Sequence, residues 1–179
     1  MMVVIPCGRE GTPRPRTVTW RDPREGLGAA RRLSGLEYLR AIIRGEVPGA
    51  PIAALLGFSP VEVEEGRAVF TVEPGEYHYN PIGTVHGGLA ATVLDSALAC
   101  AVHSTLPAGA GYTTLELHVN LVRAIAHDTG RLTCTGEVVH VGGRVATAQA
   151  RLTDAAGKLY AHGTTTCMLF RPSAAGGGE

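Results

Sequence analysis

His86, Gly87 and Gly88 stand in a row, and Asp95 follows nine residues after the histidine. Two glycines behind a histidine, opening the apolar run Leu89–Val102, put the free N–H groups of a helix start where a ligand can come close. Such an end carries partial positive charge, which polarises a carbonyl or holds an oxyanion. Tight packing at the helix start explains a glycine pair equally well, so the acid separates the readings. Asp95 shares a helical face with Gly88, Ala91, Leu98, Ala99 and Val102. A carboxylate on such a face is costly unless partnered. It is either a structural group bonded to a neighbouring Thr or backbone N–H, or a carboxylate kept dry for nucleophilic or general-base work. Gly87 and Asp95 are separated by roughly 12 Å of helix at 1.5 Å per residue. One helix cannot aim both at one carbonyl. Two antiparallel copies can, which makes a symmetric dimer with two shared sites the simple arrangement if both groups act together.

The elements that must position these residues are legible in order. Ser34 and Glu37 form a capping box for a helix over Gly35–Arg44, stopped by Gly45. A helical turn follows near Pro51–Leu56. Val61 and Val63, then Ala68, Phe70 and Val72, alternate with other residues around Glu65-Gly66, which predicts a hairpin. The helix from Gly87 to about Thr105 is apolar nearly all round and must be buried. Leu115, Leu117, Val119 and Leu121 alternate with Thr114, Glu116, His118 and Asn120 in the next strand. Two further strands turn at Gly142-Gly143, with Ala146, Ala148, Ala150 and Leu152 on one face, and Leu159–Phe170 is the last. Hairpin, buried helix and antiparallel meander make an α+β plan with the helix on one face of a sheet. The expected divisions are a basic Pro/Arg-rich arm over 1–32, a helical segment over 33–54, the main domain over 55–171 and a flexible Gly-rich tail over 172–179. The arm reads as an extended tail packed on a neighbour.

Composition removes several function classes. The 179 residues carry 16 basic and 16 acidic side chains, which argues against a globally basic nucleic-acid binder. The balance is a cancellation, because residues 1–32 hold seven Arg against three acids. Charged residues are 18% and hydrophobic ones 45%, a chain with apolar surface to hide, for which self-association is expected. Four cysteines show no CxxC pairing, and the seven histidines show no metal spacing, Cys100 and His103 giving only half a motif. The apolar run is too short to span a bilayer. A soluble cytoplasmic protein is the expectation. Neither a nucleophile elbow nor a phosphate loop is present.

The stretch from Asn80 through Gly83, His86-Gly87-Gly88 and Asp95, with Thr113-Thr114-Leu-Glu116-Leu-His-Val-Asn120 downstream, resembles the hotdog-fold acyl-CoA thioesterases of the phenylacetic-acid-degradation (PaaI-type) family. The resemblance covers about Leu55 to Phe170. It implies a long helix wrapped by a curved antiparallel sheet, and a homodimer with composite sites, commonly paired into tetramers. It implies that Asp95 is the nucleophile or general base attacking a small acyl-CoA thioester, aromatic ones included. Gly87 N–H would polarise the carbonyl. His86 would orient the thioester or the leaving thiolate, and Asn80 the carboxylate or the water, both facing Asp95 of the partner subunit. Gly88, Thr113 and Thr114 would contact substrate, the two threonines being rivals for a water-holding hydroxyl. Gly143 and Arg144 match the turn near the CoA nucleotide, where Arg144 meets a phosphate or is simply a solvated arginine. Ala99 stands where some relatives carry Ser or Thr. The resemblance implies no metal and no cofactor beyond the CoA of the substrate. A non-catalytic acyl-CoA sensor, a hotdog thioester dehydratase or hydratase, and an inactive structural oligomer are the rival readings.

Overall fold

In the computed structural model, residues 14–171 are described. A 3-10 turn (Pro23–Gly26) leads into α1 (Leu27–Arg32), α2 (Gly35–Ile43) and α3 (Pro51–Leu56). The hairpin β1 (Phe58–Glu64) and β2 (Arg67–Val72) follows, then α4 (Gly87–Ser104). The chain ends in β3 (Gly111–Leu121), β4 (Leu132–Val141), β5 (Val145–Thr153) and β6 (Leu159–Phe170). All pairings are antiparallel, in one six-stranded sheet of order β1-β2-β4-β5-β6-β3. The long helix against an antiparallel sheet is the hotdog fold. Among the described residues no helix is long and apolar enough to cross a membrane.

One correction concerns the arm. Asp22 caps the turn by accepting the Arg24 N–H at 2.9 Å, Pro23 starts it, and helix runs on to Arg32. The arm is also seated on its own chain, since Arg14 pairs with Glu76 and Arg16 donates to the Leu55 carbonyl. Residues 1–13 and 172–179, with the first part of the arm and the tail, lie outside the described residues.

The core is α4 laid on the sheet. Leu89, Val93, Leu94, Ala97, Leu98, Ala101 and Val102 are buried against Ala68, Phe70, Val72, Leu132, Ala146, Ala148, Ala150 and Leu152. Small residues in the middle strands bring the helix backbone close. A Cβ on Gly136 of β4 would stand 2.4 Å from the Ala97 carbonyl oxygen. At the far end Gly35 N–H donates to the Leu106 carbonyl at 2.9 Å, so α2 closes over the helix terminus. The Ser34–Glu37 capping box that starts α2 is formed.

Gly136→Ala meets helix backbone, not a flexible side chain, and the helix must be pushed off the sheet. The expected outcome is a loss of about 2–3 kcal/mol. A lower urea midpoint with an unchanged m-value is the measurement that checks it.

Candidate active site

Between β2 and α4 the chain makes a 3-10 turn (Glu76–His78) and then a tight loop organised by Asn80. Asn80 Oδ1 accepts the N–H groups of Ile82 at 3.1 Å and Thr84 at 3.2 Å, and its Nδ2 donates to Thr84 Oγ1 at 2.9 Å. This side-chain turn uses the Asn80 oxygen and one of its two amide protons. Gly83 sits at φ +86°, a conformation only glycine adopts freely.

His86 is the N-cap of α4. Its own N–H donates to the His78 carbonyl at 2.8 Å, its Nδ1 accepts the Gly88 N–H at 2.8 Å, and its carbonyl accepts the Leu89 N–H at 3.0 Å. An amide can only donate, so Nδ1 is bare and a neutral ring carries its proton on Nε2, which remains a donor. Two of the first three helix amides are therefore used. Among the described residues the Gly87 N–H has no acceptor. Gly87 lines a cleft of about 260 Å³ together with Asn80, Thr84, Val85, Ala90 and residues 121–125. Leu121 lies directly over Gly87, where a Cβ would come within 2.5 Å of its Cδ1.

Asp95 sits two turns further along. Its Oδ1 accepts the Thr114 hydroxyl at 3.1 Å. Strict alternation would put Thr114 on the face opposite Leu117 and Val119. A β-bulge removes that conflict: the β3–β6 register jumps between Thr114 and Glu116, leaving Leu115 unpaired and 55% exposed. Thr114 thereby turns toward α4 together with Leu117 and Val119, while Thr113 is exposed. Bulges commonly re-aim a side chain at a site in this way. Of the two threonines, Thr114 is the one that meets the acid within the single chain.

Around the acid lie groups that stay protonated. Burial and the Asp95 charge push the Cys100 thiol up to about 12. Burial, then neighbouring groups including Asp95, raise Tyr112 well above its ordinary value. Cys167, the register partner of Thr114, is also raised by burial first. A thiol held so high is no nucleophile at neutral pH.

Within one chain, then, Asn80, His86 and Gly87 converge at the start of α4, and Asp95 with Thr114 forms a second group about 12 Å away along the helix. One expectation changes. Asp95 is half-buried in the single chain, because one stripe of α4 (Gly88, Ala91, Thr92, Asp95, Ser96, Cys100, His103) is only partly covered. Gly88 gives its N–H to His86. A Cβ at Gly88 would stand 2.8 Å from His86 Nδ1, so that glycine is needed for the cap. Gly143 and Arg144 form the exposed β4–β5 turn, and among the described residues Arg144 makes no ion pair. Tyr79 donates or accepts with His127 at 2.7 Å and Tyr77 stacks under Arg16, so both are held by their own chain. The residue that sequence reasoning missed is His78, whose buried ring and carbonyl support the histidine cap.

Residues 82–161 match the thioesterase superfamily. The 1,4-dihydroxy-2-naphthoyl-CoA hydrolase of Listeria monocytogenes is 27% identical over 58% of this chain and 83% of its own length. Human acyl-coenzyme A thioesterase 13 is 29% identical over 74% of this chain and 95% of its own. A solved phenylacetic acid degradation-related protein of Ralstonia eutropha is 31% identical, covering 73% of this chain and 98% of its own at a TM-score of 0.67.

The cap supplies a stability test that needs no substrate. His86→Ala removes the acceptor for Gly88 N–H and is expected to cost about 1 kcal/mol. His86→Asn, which can cap, is expected to recover most of it. Chemical denaturation of both variants checks the pair.

Proposed function

The chain belongs to the thioesterase superfamily and is a thioester hydrolase, and from that premise we propose that it cleaves a small acyl-CoA, aromatic acyl groups included, to free acid and CoA at a site shared between two copies. The observation that carries this reading is the free Gly87 N–H, set by the histidine cap at the mouth of a cleft. In this reading it donates to a thioester carbonyl oxygen and holds the negative charge that develops there. His86, with its Nε2 proton, orients the thioester or meets the departing thiolate. Asn80 keeps one amide proton for the water or the carboxylate.

The carboxylate comes from Asp95 of the partner subunit. As general base it takes a proton from water while the water oxygen attacks the carbonyl carbon. The tetrahedral adduct collapses, the C–S bond breaks, and the proton passes to the CoA sulfur. As nucleophile its oxygen instead attacks the carbonyl carbon, and the C–S bond breaks to release CoA as thiolate. Water opens the mixed anhydride left behind, which returns the carboxylate, frees the acid and supplies the proton for the CoA sulfur. Both routes consume one water and need no metal or added cofactor. Thr114 holds the carboxylate oxygen by its hydroxyl in either case.

The single-chain surface supports a homodimer. β3 is an edge strand of 11 residues with one side unpaired, and such edges invite a second copy. Leu115 and Leu121 on it are more than half exposed, and the half-covered stripe of α4 carries Asp95 nearby. Pairing of dimers into a tetramer, a phosphate contact for Arg144 and a cytoplasmic setting belong to the same reading. The three cysteines among the described residues are free thiols, as reducing surroundings would keep them.

Thiol release from a panel of aryl and aliphatic acyl-CoAs tests the assignment. Asp95→Asn and Asp95→Ala are each expected to lower kcat by about 100-fold or more. Turnover by both variants at the wild-type rate would remove Asp95 from the mechanism. A single turnover in isotopic water separates the routes, because only the anhydride leaves label in Asp95. Light scattering should give a dimer or a multiple of it, and a fully active monomer would overturn the shared site.

A further inference from the structure

The histidine cap does not stand alone. Its N–H is received by the carbonyl of His78, and the His78 ring is 6% exposed. Both ring nitrogens of His78 are used: Nδ1 accepts the Gly75 N–H at 3.0 Å, and Nε2 faces the Leu56 carbonyl at 2.8 Å. An amide donates and a carbonyl accepts, so these partners fix the neutral ring with its proton on Nε2. One side chain thus joins the end of α3, the 3-10 turn and, through its carbonyl, the residue that caps α4. The N-terminal arm covers it. Arg16 donates to the Leu55 carbonyl and lies 4.0 Å from the centre of the Tyr77 ring, which itself packs 4.1 Å from the His78 ring.

From this chain of contacts we infer that His78 is a positioning residue for the hydrolytic site, holding His86 so that the Gly87 N–H faces the cleft, and that protonation of His78 releases it. The inference rests on the reading of Gly87 given above. A proton on Nδ1 would point at the Gly75 N–H, two donors facing each other, and the turn would open. Burial first, with the Arg16 charge adding to it and the Leu56 carbonyl opposing it, holds His78 below the ordinary histidine range. Arg16 of the arm and Tyr77 of its own turn are the charged and titratable groups that lie against it, with the Leu56 carbonyl of α3 on Nε2. α4 presents the His86 backbone. The sign follows: a histidine whose folded value is lowered keeps its contribution above the ordinary range and loses it as pH falls through the lowered value.

The test compares the full-length chain with His78→Ala, His78→Asn and His78→Gln, using phenylacetyl-CoA and hexanoyl-CoA as probes. Asn can replace the Nδ1 acceptor and Gln the Nε2 donor. A displaced Gly87 N–H is expected to lower kcat of His78→Ala about tenfold or more while KM moves less than about twofold. His78→Asn should recover part of that loss and should not show the acid limb that the wild type shows below the ordinary histidine range. Hydrogen exchange of the Gly88 amide, followed without substrate, should speed up in His78→Ala and in wild type at low pH. Unchanged exchange in a folded His78→Ala overturns the positioning role. Faster exchange with wild-type kcat overturns instead the reading of Gly87 beneath it, and the inference with it. Equal losses of kcat in the Ala and Asn variants, with the acid limb kept in both, overturn the proton release.

Discussion

The contact between the middle of α4 and β4 decides most of what else this chain can do. Gly136 has no Cβ to hold the Ala97 carbonyl away, so helix and sheet backbones meet. Ala146, Ala148 and Ala150 keep the neighbouring strand equally low. A helix seated that deeply must be apolar on nearly every side, and this one is. It also has its start fixed, because the strands that clasp its middle leave its first turn to the loop before it. The amide that this loop does not use, Gly87 N–H, is therefore held by packing some distance away and not by the loop alone.

The same seating divides the chemistry. A rigid straight helix keeps Gly87 and Asp95 about 12 Å apart whatever their side chains do. No rotamer of an aspartate spans that distance. A bend in the helix would be needed to bring them together, and burial against all six strands forbids one. The proposed second copy answers this geometric problem and an independent one, the open edge of the sheet. That edge is β3, which carries Thr114, the partner of Asp95. In the proposed dimer, the strand that would meet its copy is the strand that orients the acid.

The order of elements was legible because each was punctuated locally. The capping box at Ser34, the proline at the start of α3, the glycine turns and the alternation through Ala146, Ala148, Ala150 and Leu152 survive folding, and Leu159–Phe170 is found as read. The pairing of His86 with a helix start was legible for the same reason. The resemblance named Thr114, but its direction was not legible from periodicity, since it depends on a bulge at Leu115 that exists only against β6. Periodicity assigns faces by counting, and one unpaired residue inverts the count. The arm misled by its composition: Pro and Arg suggested an extended tail, but Pro23 after Asp22 is also a helix start. His78 carried no signal at all, because its role lies in a carbonyl and in ring partners, one of them 22 residues earlier in the chain.

In the proposed mechanism the acid acts rather than the two thiols and the phenol nearby, and charge and burial together support that choice. Cys100, Cys167 and Tyr112 all lose from desolvation when ionised, and Asp95 adds to the cost for each. Burial first keeps them neutral, and neutral neighbours spare the carboxylate a second negative charge. Thr114 supplies a hydroxyl donor without bringing a charge of its own. A cation in that position would hold the carboxylate more tightly but would also lower its basicity and its nucleophilicity. A hydroxyl orients the oxygen and leaves its lone pairs reactive. In the proposed mechanism, the pairing of a carboxylate with a threonine, in a neighbourhood of suppressed acids, is the electrostatic arrangement suited to a base or nucleophile working on water or a thioester.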